Sequence, residues 1–140
     1  MSSKILMLSV RPKFAEKIFD GSKTIELRRI KPNLSQNDTL IIYVSSPIKQ
    51  IKGFFSVEKI IQKPLDELWS SVQYSAGVSK EEFYSYFSGV AFGYGIYIGE
   101  STKDIKPITL NEIRKQWEGF TPPQSFRYLS QYEFELLQMI

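Results

Sequence analysis

Short blocks of apolar and polar residues alternate along the chain, and each block fits one kind of secondary structure. Residues 5–10 form an apolar-rich run of strand length, which is typical of a buried strand. Pro12 suits the first turn of a helix, where its missing N–H costs nothing, and apolar side chains then recur at helical spacing. Gly21 stands where short helices often end in a left-handed residue. The chain is thus predicted to begin as strand, short helix and turn.

The segment 24–28 is predicted to be a strand that is buried on one face only. Its polar and apolar residues alternate, and a period of two directs successive side chains to opposite faces. Ile25 and Leu27 are therefore expected in the core. Glu26 and Arg28 are expected on the opposite face.

Two further strands are predicted at residues 39–46 and 51–61. The first is rich in β-branched side chains, and the second contains Gly53, which indicates a bulge. Phe54 is expected on the more polar face of the second strand, where it is a candidate for stacking on a base. The residues expected on its core face are Ile51, Phe55 and Val57.

The second half of the chain is predicted to contain more helix. An apolar stripe at helical spacing begins at Leu65, and capping boxes beginning at Ser79 and Ser130 indicate the starts of two helices. A further short helix opens at Thr109. Residues 92–98 are predicted to form a strand between these helices.

The predicted order is β-α-β-β-β-α-α-β, followed by an irregular stretch and two short helices. Three adjacent strands in mid-chain favour an antiparallel or mixed sheet over repeated βαβ units. We therefore expect an α+β fold in which helices pack around a small curled sheet or barrel. Residues 1–140 are expected to form one domain.

Composition removes several classes of function. The 140 residues contain no cysteine and no histidine, so disulfides, cysteine nucleophiles, serine–histidine couples and the commonest zinc ligands are excluded. No cofactor and no metal are expected. No apolar run approaches the roughly 20 residues needed to span a bilayer, and the first residues lack the apolar core of a signal peptide. A cytoplasmic protein without a membrane partner is expected.

Basic charge is concentrated near the N-terminus. The formal net charge is +3, yet residues 4–31 contain eight basic and three acidic residues, a local excess of five positive charges. Such an excess is typical of a surface that binds phosphate or another anion, although a solvated basic face gives the same count.

Residues 21–29 carry the strongest candidate chemistry. A tight turn at Gly21 brings Lys23 to the start of the strand, and Glu26 and Arg28 project from one face of that strand. The two cations donate hydrogen bonds and the carboxylate accepts them, so a base edge and a phosphate can both be bound. A surface network of ion pairs is the other interpretation of the same spacing.

Several further polar residues are candidates for ligand binding. Ser45 and Ser46 end a strand, where hydroxyls and free N–H groups can meet a phosphate. Arg11 precedes the first helix, whose N-terminus favours anions. Near the C-terminus, Arg127 is a candidate for a phosphate contact and Tyr128 for stacking on a base. Turn hydrogen bonds, a surface location or pinning of the tail to the sheet are the structural alternatives.

The stretch from Gly21 to Arg28 resembles the G-x-K-x-x-E-x-R signature of the ASCH domain family, with Lys23 and Glu26 at its two central positions. The resemblance extends to small bacterial and archaeal members of the family and covers most of the chain. The ordered blocks that carry it, besides the signature, are residues 8–18, 43–49, 51–55 and 122–129.

The resemblance implies a PUA-like fold, in which helices close the ends of a small β-barrel. It also implies a cleft beside the first helix and the signature strand, where family members bind RNA or modified nucleosides. The expected partner is therefore RNA or a modified nucleoside or nucleotide, bound by Lys23, Glu26 and Arg28 in a regulatory or RNA-modification role.

One branch of the family resembles an enzyme that deacylates acetylated cytidine and has a threonine nucleophile three residues after the lysine. This chain has Glu26 there, and its Thr24 stands on a different step of the strand, which argues against that activity. The alternative function is a metal-independent hydrolase of a modified nucleoside or of RNA. Glu26 would act as general base beside Lys23, whose pKa would be lowered by burial. Tyr43 and Glu58 are candidate polar contacts. A third possibility is a regulatory module that binds a protein partner.

Overall fold

The computed structural model describes residues 3–140. Its strands are β1 (Ile5–Val10), β2 (Ile25–Arg28), β3 (Thr39–Val44), β4 (Gln50–Pro64), β5 (Phe92–Lys103), β6 (Ile108–Thr109) and β7 (Phe126–Leu129). Its helices are α1 (Pro12–Phe19), α2 (Leu65–Val72), α3 (Lys80–Tyr86), α4 (Leu110–Gln116) and α5 (Gln131–Gln138). The first eight elements follow the predicted order. β6, directly before α4, and β7, between α4 and α5, were not predicted.

The strands form one curled, mixed sheet. Its order is β2-β5-β4-β3-β1-β7, and β6 pairs with β4 outside this path. β1 and β3 are parallel, whereas the other pairs are antiparallel. The sheet curls into a half-barrel with the helices packed around it, which confirms the predicted α+β class.

The alternation of side chains along β1 separates two hydrophobic clusters. Leu6 joins the cluster beneath α1, which we call the inner cluster, together with Ile18 of that helix. Met7 joins a cluster on the other face of the sheet, which contains Ile113 of α4 and Leu137 of α5. We call this second group the outer cluster.

The predicted alternation along β2 is confirmed. Ile25 and Leu27 are buried in a third cluster, which they share with residues of α2 and α3. Glu26 lies opposite Ile96 of β5, a residue of the inner cluster. Since paired residues in a sheet point to the same face, Glu26 faces the inside of the half-barrel, and so does Arg28 two positions later.

The prediction for β4 is partly wrong because a bulge changes its alternation. The register between β3 and β4 shifts at Lys52, which is an extra residue in β4. Ile51 and Phe54 consequently belong to the outer cluster, whereas Val57 and the half-buried Phe55 belong to the inner one. Ile51 therefore does not share a face with Phe55 and Val57. Phe54 is 1% exposed, so it cannot stack on a base.

The helix boundaries agree with the local signals in the sequence. Pro12 occupies the first position of α1, and Gly21 follows that helix with φ of +86°. Ser79, Thr109 and Ser130 each complete a capping box at the start of a helix. Within the described part of the chain, no helix has the length and apolar character required to cross a membrane.

Candidate functional site

A cleft of about 420 Å³ opens where the end of β1 faces β2. The end of β1 and the start of α1 form one wall, to which Arg11 and Phe14 contribute. Glu26 and Arg28 of β2 lie in the cleft, and α3 forms the opposite rim with Tyr86 among its residues. The predicted cluster of opposite charges therefore lies in a concave surface and not on an open face.

Lys23 is buried at the base of this cleft and is only 3% exposed. Its Nζ donates to the carbonyl of Ile25 at 2.9 Å and to that of Ala76 at 2.5 Å, and it lies 3.5 Å from Oε1 of Glu26. Burial lowers the pKa of Lys23, and the nearby carboxylate opposes this effect. Because an ammonium has three donors, Lys23 is fully engaged with protein acceptors and positions Glu26.

Glu26 is held between two cations. One carboxylate oxygen faces Lys23, and the other accepts a hydrogen bond from Nη2 of Arg28 at 2.8 Å. All three side chains are largely buried, so their charges are screened by water less than those of surface pairs. The cluster carries one net positive charge and retains acceptor capacity on the carboxylate.

Arg28 connects the two ends of the sheet. Its Nη1 donates at 2.7 Å to Oγ of Ser125, the residue immediately before β7. The Ser125 carbonyl in turn accepts from the backbone N–H of Ser9 at 3.0 Å. Nε of Arg28 is buried and has no acceptor in the described part of the chain. The hydrogen bond between Arg28 and Ser125 thus joins the two ends of the half-barrel beside the cleft. The Nε group of Arg28 remains an unused charged donor.

Basic side chains surround Phe14 in the wall of the cleft. Arg11 is exposed and precedes α1 without a side-chain capping bond. The ammonium groups of Lys13, Lys17 and Lys23 lie 5.3–5.8 Å from the centre of the Phe14 ring. Three ammonium groups therefore lie near this aromatic wall, and Arg11 lies beside it at the rim.

Glu82 is the acidic residue at this rim. It accepts from the backbone N–H of Ser79 and from the ammonium of Lys13 at 2.9 Å. These contacts, the backbone bond first, lower the pKa of Glu82 to about 2. Its charge is therefore paired with Lys13 and with the start of α3.

Four candidates in the first half of the chain lie outside the cleft lining. Tyr43 is 2% exposed in the outer cluster, and its burial raises the pKa of its hydroxyl. Ser45 donates its backbone N–H to the carbonyl of Val10 at 2.9 Å, next to the end of β1. Ser46 is exposed and precedes Pro47 through a cis peptide bond. Glu58, proposed as a polar contact, is exposed on β4.

The two candidates on β7 face opposite sides of the sheet. Arg127 pairs with Glu133 and stacks on Trp117 with its guanidinium 4.6 Å from the ring centre. The hydroxyl of Tyr128 accepts from the backbone N–H of Asn33 at 2.7 Å. Neither residue lines the cleft.

Three residues of the site were not singled out by sequence reasoning. Phe14 is one of the apolar residues that recur at helical spacing after Pro12, a pattern typical of a core face, but it is half-buried and lines the cleft. Tyr86 reaches the cleft from α3, and Ser125 contacts Arg28 across 97 positions of the chain. The resemblance to the tail block at residues 122–129 was the one signal that included Ser125.

Comparison with known proteins identifies the family of this chain. The ASCH domain profile matches residues 8–123. This chain belongs to the ASCH domain family. It is 31% identical over 134 residues to the ASCH domain-containing ribonuclease of Zymomonas mobilis, a match that spans 96% of this chain and 90% of that protein.

Solved structures confirm the fold of this ASCH domain. The crystal structure of ASCH from Zymomonas mobilis superposes with a TM-score of 0.89 at 31% identity, over 98% of this chain and 95% of that one. The N-terminal domain of Staphylothermus marinus McrB superposes with a TM-score of 0.62 at 12% identity, over 99% and 95% of the two chains, and shares the fold alone. The family and the PUA-like fold implied by the signature are thus confirmed.

Proposed function

We propose that this ASCH domain binds RNA and holds one nucleotide in the cleft between β1 and β2. The observation that carries the proposal is the buried Lys23–Glu26–Arg28 cluster, which presents both a donor and an acceptor to a concave surface. The similar protein named a ribonuclease supports RNA as the nucleic acid. An RNA partner agrees with the cytoplasmic location expected from the sequence.

Each part of the cleft suits one part of a nucleotide. Arg11 is exposed at the rim and can neutralise a phosphate, and the unused Nε of Arg28 can donate to an oxygen that reaches the base of the cleft. The Glu26 carboxylate can accept from an amino or imino group of the base. Phe14 and Tyr86 offer aromatic surface for stacking.

Fluorescence anisotropy with a labelled single-stranded RNA tests this proposal. At about 50 mM salt, we expect binding that weakens steeply as salt is added, because phosphate contacts release counterions. Arg11→Ala should weaken binding and lower the slope of log affinity against log salt by about 0.7. Lys106→Ala removes an exposed charge that does not line the cleft and serves as the matched control.

Two results would refute RNA binding in the cleft. One is the absence of binding by the wild-type protein at low salt. The other is an equal effect of Arg11→Ala and Lys106→Ala, which would indicate a diffuse attraction without a defined site.

A second candidate function is cleavage of RNA in the same cleft. The relative named a ribonuclease favours it, together with the juxtaposition of Glu26 with two cations. Glu26 would accept the proton of a water whose oxygen forms a bond to the phosphorus, and Arg28 together with the buried charge of Lys23 would stabilise the negative charge that develops on the phosphate oxygens. The phosphorus–oxygen ester bond would then break, and the leaving oxygen would take a proton from solvent. Incubation with labelled RNA in the presence of a chelator, followed by chromatography, measures this activity. Glu26→Gln should abolish it and Glu82→Gln at the rim should preserve it. Equal turnover in both variants would refute this role of Glu26.

A further inference from the structure

An exposed pair of aromatic side chains leads away from the cleft along β7. Phe126 is 39% exposed and Tyr128 is 37% exposed, and their ring centres lie 5.8 Å apart in an edge-to-face arrangement. They pair with Leu8 and Leu6 of β1, which belong to the inner cluster. Both rings therefore lie on the side of the sheet that Glu26 faces. We call Phe126 and Tyr128 the aromatic strip.

Hydrogen bonds connect the aromatic strip to the cleft at one end and to a lysine at the other. Ser125, which directly precedes Phe126, accepts from Arg28 of the cleft. At the far end, the Tyr128 hydroxyl accepts from the backbone of Asn33, whose side chain accepts from Nζ of Lys4 at 2.7 Å. The aromatic strip is thus continuous with the cleft, and it has Arg28 at one end and Lys4 at the other.

The charges around the aromatic strip favour an anionic chain as its occupant. The segment that follows β2 passes Tyr128 and carries the exposed cations Arg29 and Lys31. Asp38 is the carboxylate near this end, and it is 7% exposed and accepts from the backbone N–H groups of Lys4 and Ser35. Basic side chains beside exposed rings are the features that bind single-stranded nucleic acid without sequence readout.

We propose that the aromatic strip stacks the bases that flank the nucleotide in the cleft, so that the domain binds a short single-stranded segment of RNA. This inference rests on the proposed function and extends it from one nucleotide to several. Arg28 and Lys4 lie where the phosphates of such a segment would pass. The opposite face of β7 has no part in it, because Arg127 there is paired with Glu133.

Calorimetry with ligands of two lengths tests the aromatic strip separately from the cleft. The ligands are the four nucleoside 5′-monophosphates and the matching homopolymeric tetranucleotides. We expect the wild-type protein to bind its best tetranucleotide at least about tenfold more tightly than the monophosphate, since each stacked base adds affinity. Phe126→Ala with Tyr128→Ala should weaken tetranucleotide binding at least about fivefold and leave monophosphate binding unchanged.

Three further variants separate stacking from a structural role. Tyr128→Phe keeps the ring and loses the contact with Asn33, so it should bind the tetranucleotide like the wild type. Phe126→Leu keeps an apolar side chain and loses the aromatic face, so it should weaken tetranucleotide binding. Tyr74→Ala removes an aromatic residue that is 89% exposed elsewhere and should have no effect.

The outcomes distinguish this inference from the proposed function. If the double alanine variant binds both ligands like the wild type, the role of the aromatic strip is refuted while the cleft stands. The same conclusion follows if Tyr128→Phe is as weak as the double variant, because the contact with Asn33 would then explain the loss. If the wild-type protein binds neither ligand, the proposed function itself is refuted.

Discussion

Lys23 joins three parts of the molecule through a single nitrogen atom. Its ammonium contacts the carbonyl of Ile25 in β2, the carbonyl of Ala76 between α2 and α3, and the carboxylate of Glu26. Lys23→Met removes the ammonium from these buried acceptors, and Glu26 keeps only its ion pair with Arg28. The free energy of unfolding is expected to fall by about 3–5 kcal/mol, as it does when one partner of a buried ion pair is removed.

Urea denaturation measures this loss, and Lys17→Met is the matched control. The Lys17 ammonium donates to one carbonyl, that of Gly77 at 2.8 Å, and its removal should cost only about 1 kcal/mol. Equal losses in the two variants would contradict the central structural role of Lys23.

The pH dependence of stability provides a second test of Lys23. Burial, the largest influence, lowers its pKa from the usual 10.5. Just below pH 10.5 the unfolded chain therefore binds more protons at this position than the folded chain does, and stability rises with pH across that range. The measured quantity is the free energy of unfolding of the wild type minus that of Lys23→Met, from about pH 8 to pH 10.5. A difference that stays constant or falls with rising pH would contradict the lowered pKa.

At the scale of elements, the capping box of α3 supports one rim of the cleft. The Ser79 hydroxyl accepts from the backbone N–H of Glu82, and the Glu82 carboxylate accepts from that of Ser79. Ser79→Ala is expected to lower the free energy of unfolding by about 1 kcal/mol and to speed amide exchange in the first turn of α3. Ser70→Ala, at an exposed position within α2, is the control and should change stability little. Unchanged exchange in α3 would show that the box does not hold this rim.

The packing of α2 and α3 on β5 depends on a residue without a side chain. A Cβ at Gly93 would lie 2.6 Å from both Leu68 of α2 and Phe87 at the end of α3. Gly93→Ala is therefore expected to cost about 1–3 kcal/mol through overpacking. Gly95→Ala, whose nearest contact would be 3.2 Å from Ile25, should cost less. Thermal or urea unfolding of the two variants measures the difference, and the reverse order would contradict this packing.

Elements with local signals could be predicted from the sequence, and elements without them could not. The alternation in β2, Pro12 at the first position of α1 and the capping box at Ser79 each depend on neighbouring residues, and all three predictions were confirmed. β7 has no such signal, because it is defined by its pairing with β1 at the other end of the chain. The bulge at Lys52 reverses the alternation of β4, so a strict period of two misplaced Phe54.

At the scale of the whole molecule, the cleft lies beside the point where the two ends of the sheet meet. β2 and β7 are at opposite ends of the strand order, yet Arg28 and Ser125 are in hydrogen-bond contact. The sequence indicated the charged cluster through its residue types and its family signature. It could not indicate which side of the curled sheet each remaining candidate faces, and Tyr43 and Arg127 lie on the other side from Glu26.

The most direct test of the cleft is a titration of the isotope-labelled protein with a short single-stranded RNA at about 50 mM salt. The amide chemical shifts are measured at each RNA concentration. RNA binding in the cleft predicts that the largest shifts occur at Arg11, Glu26 and Arg28 and that they saturate together. The contradicting result is a spectrum that does not change, or one whose largest changes lie beside Trp117 and Tyr132, in the groove between α4 and α5.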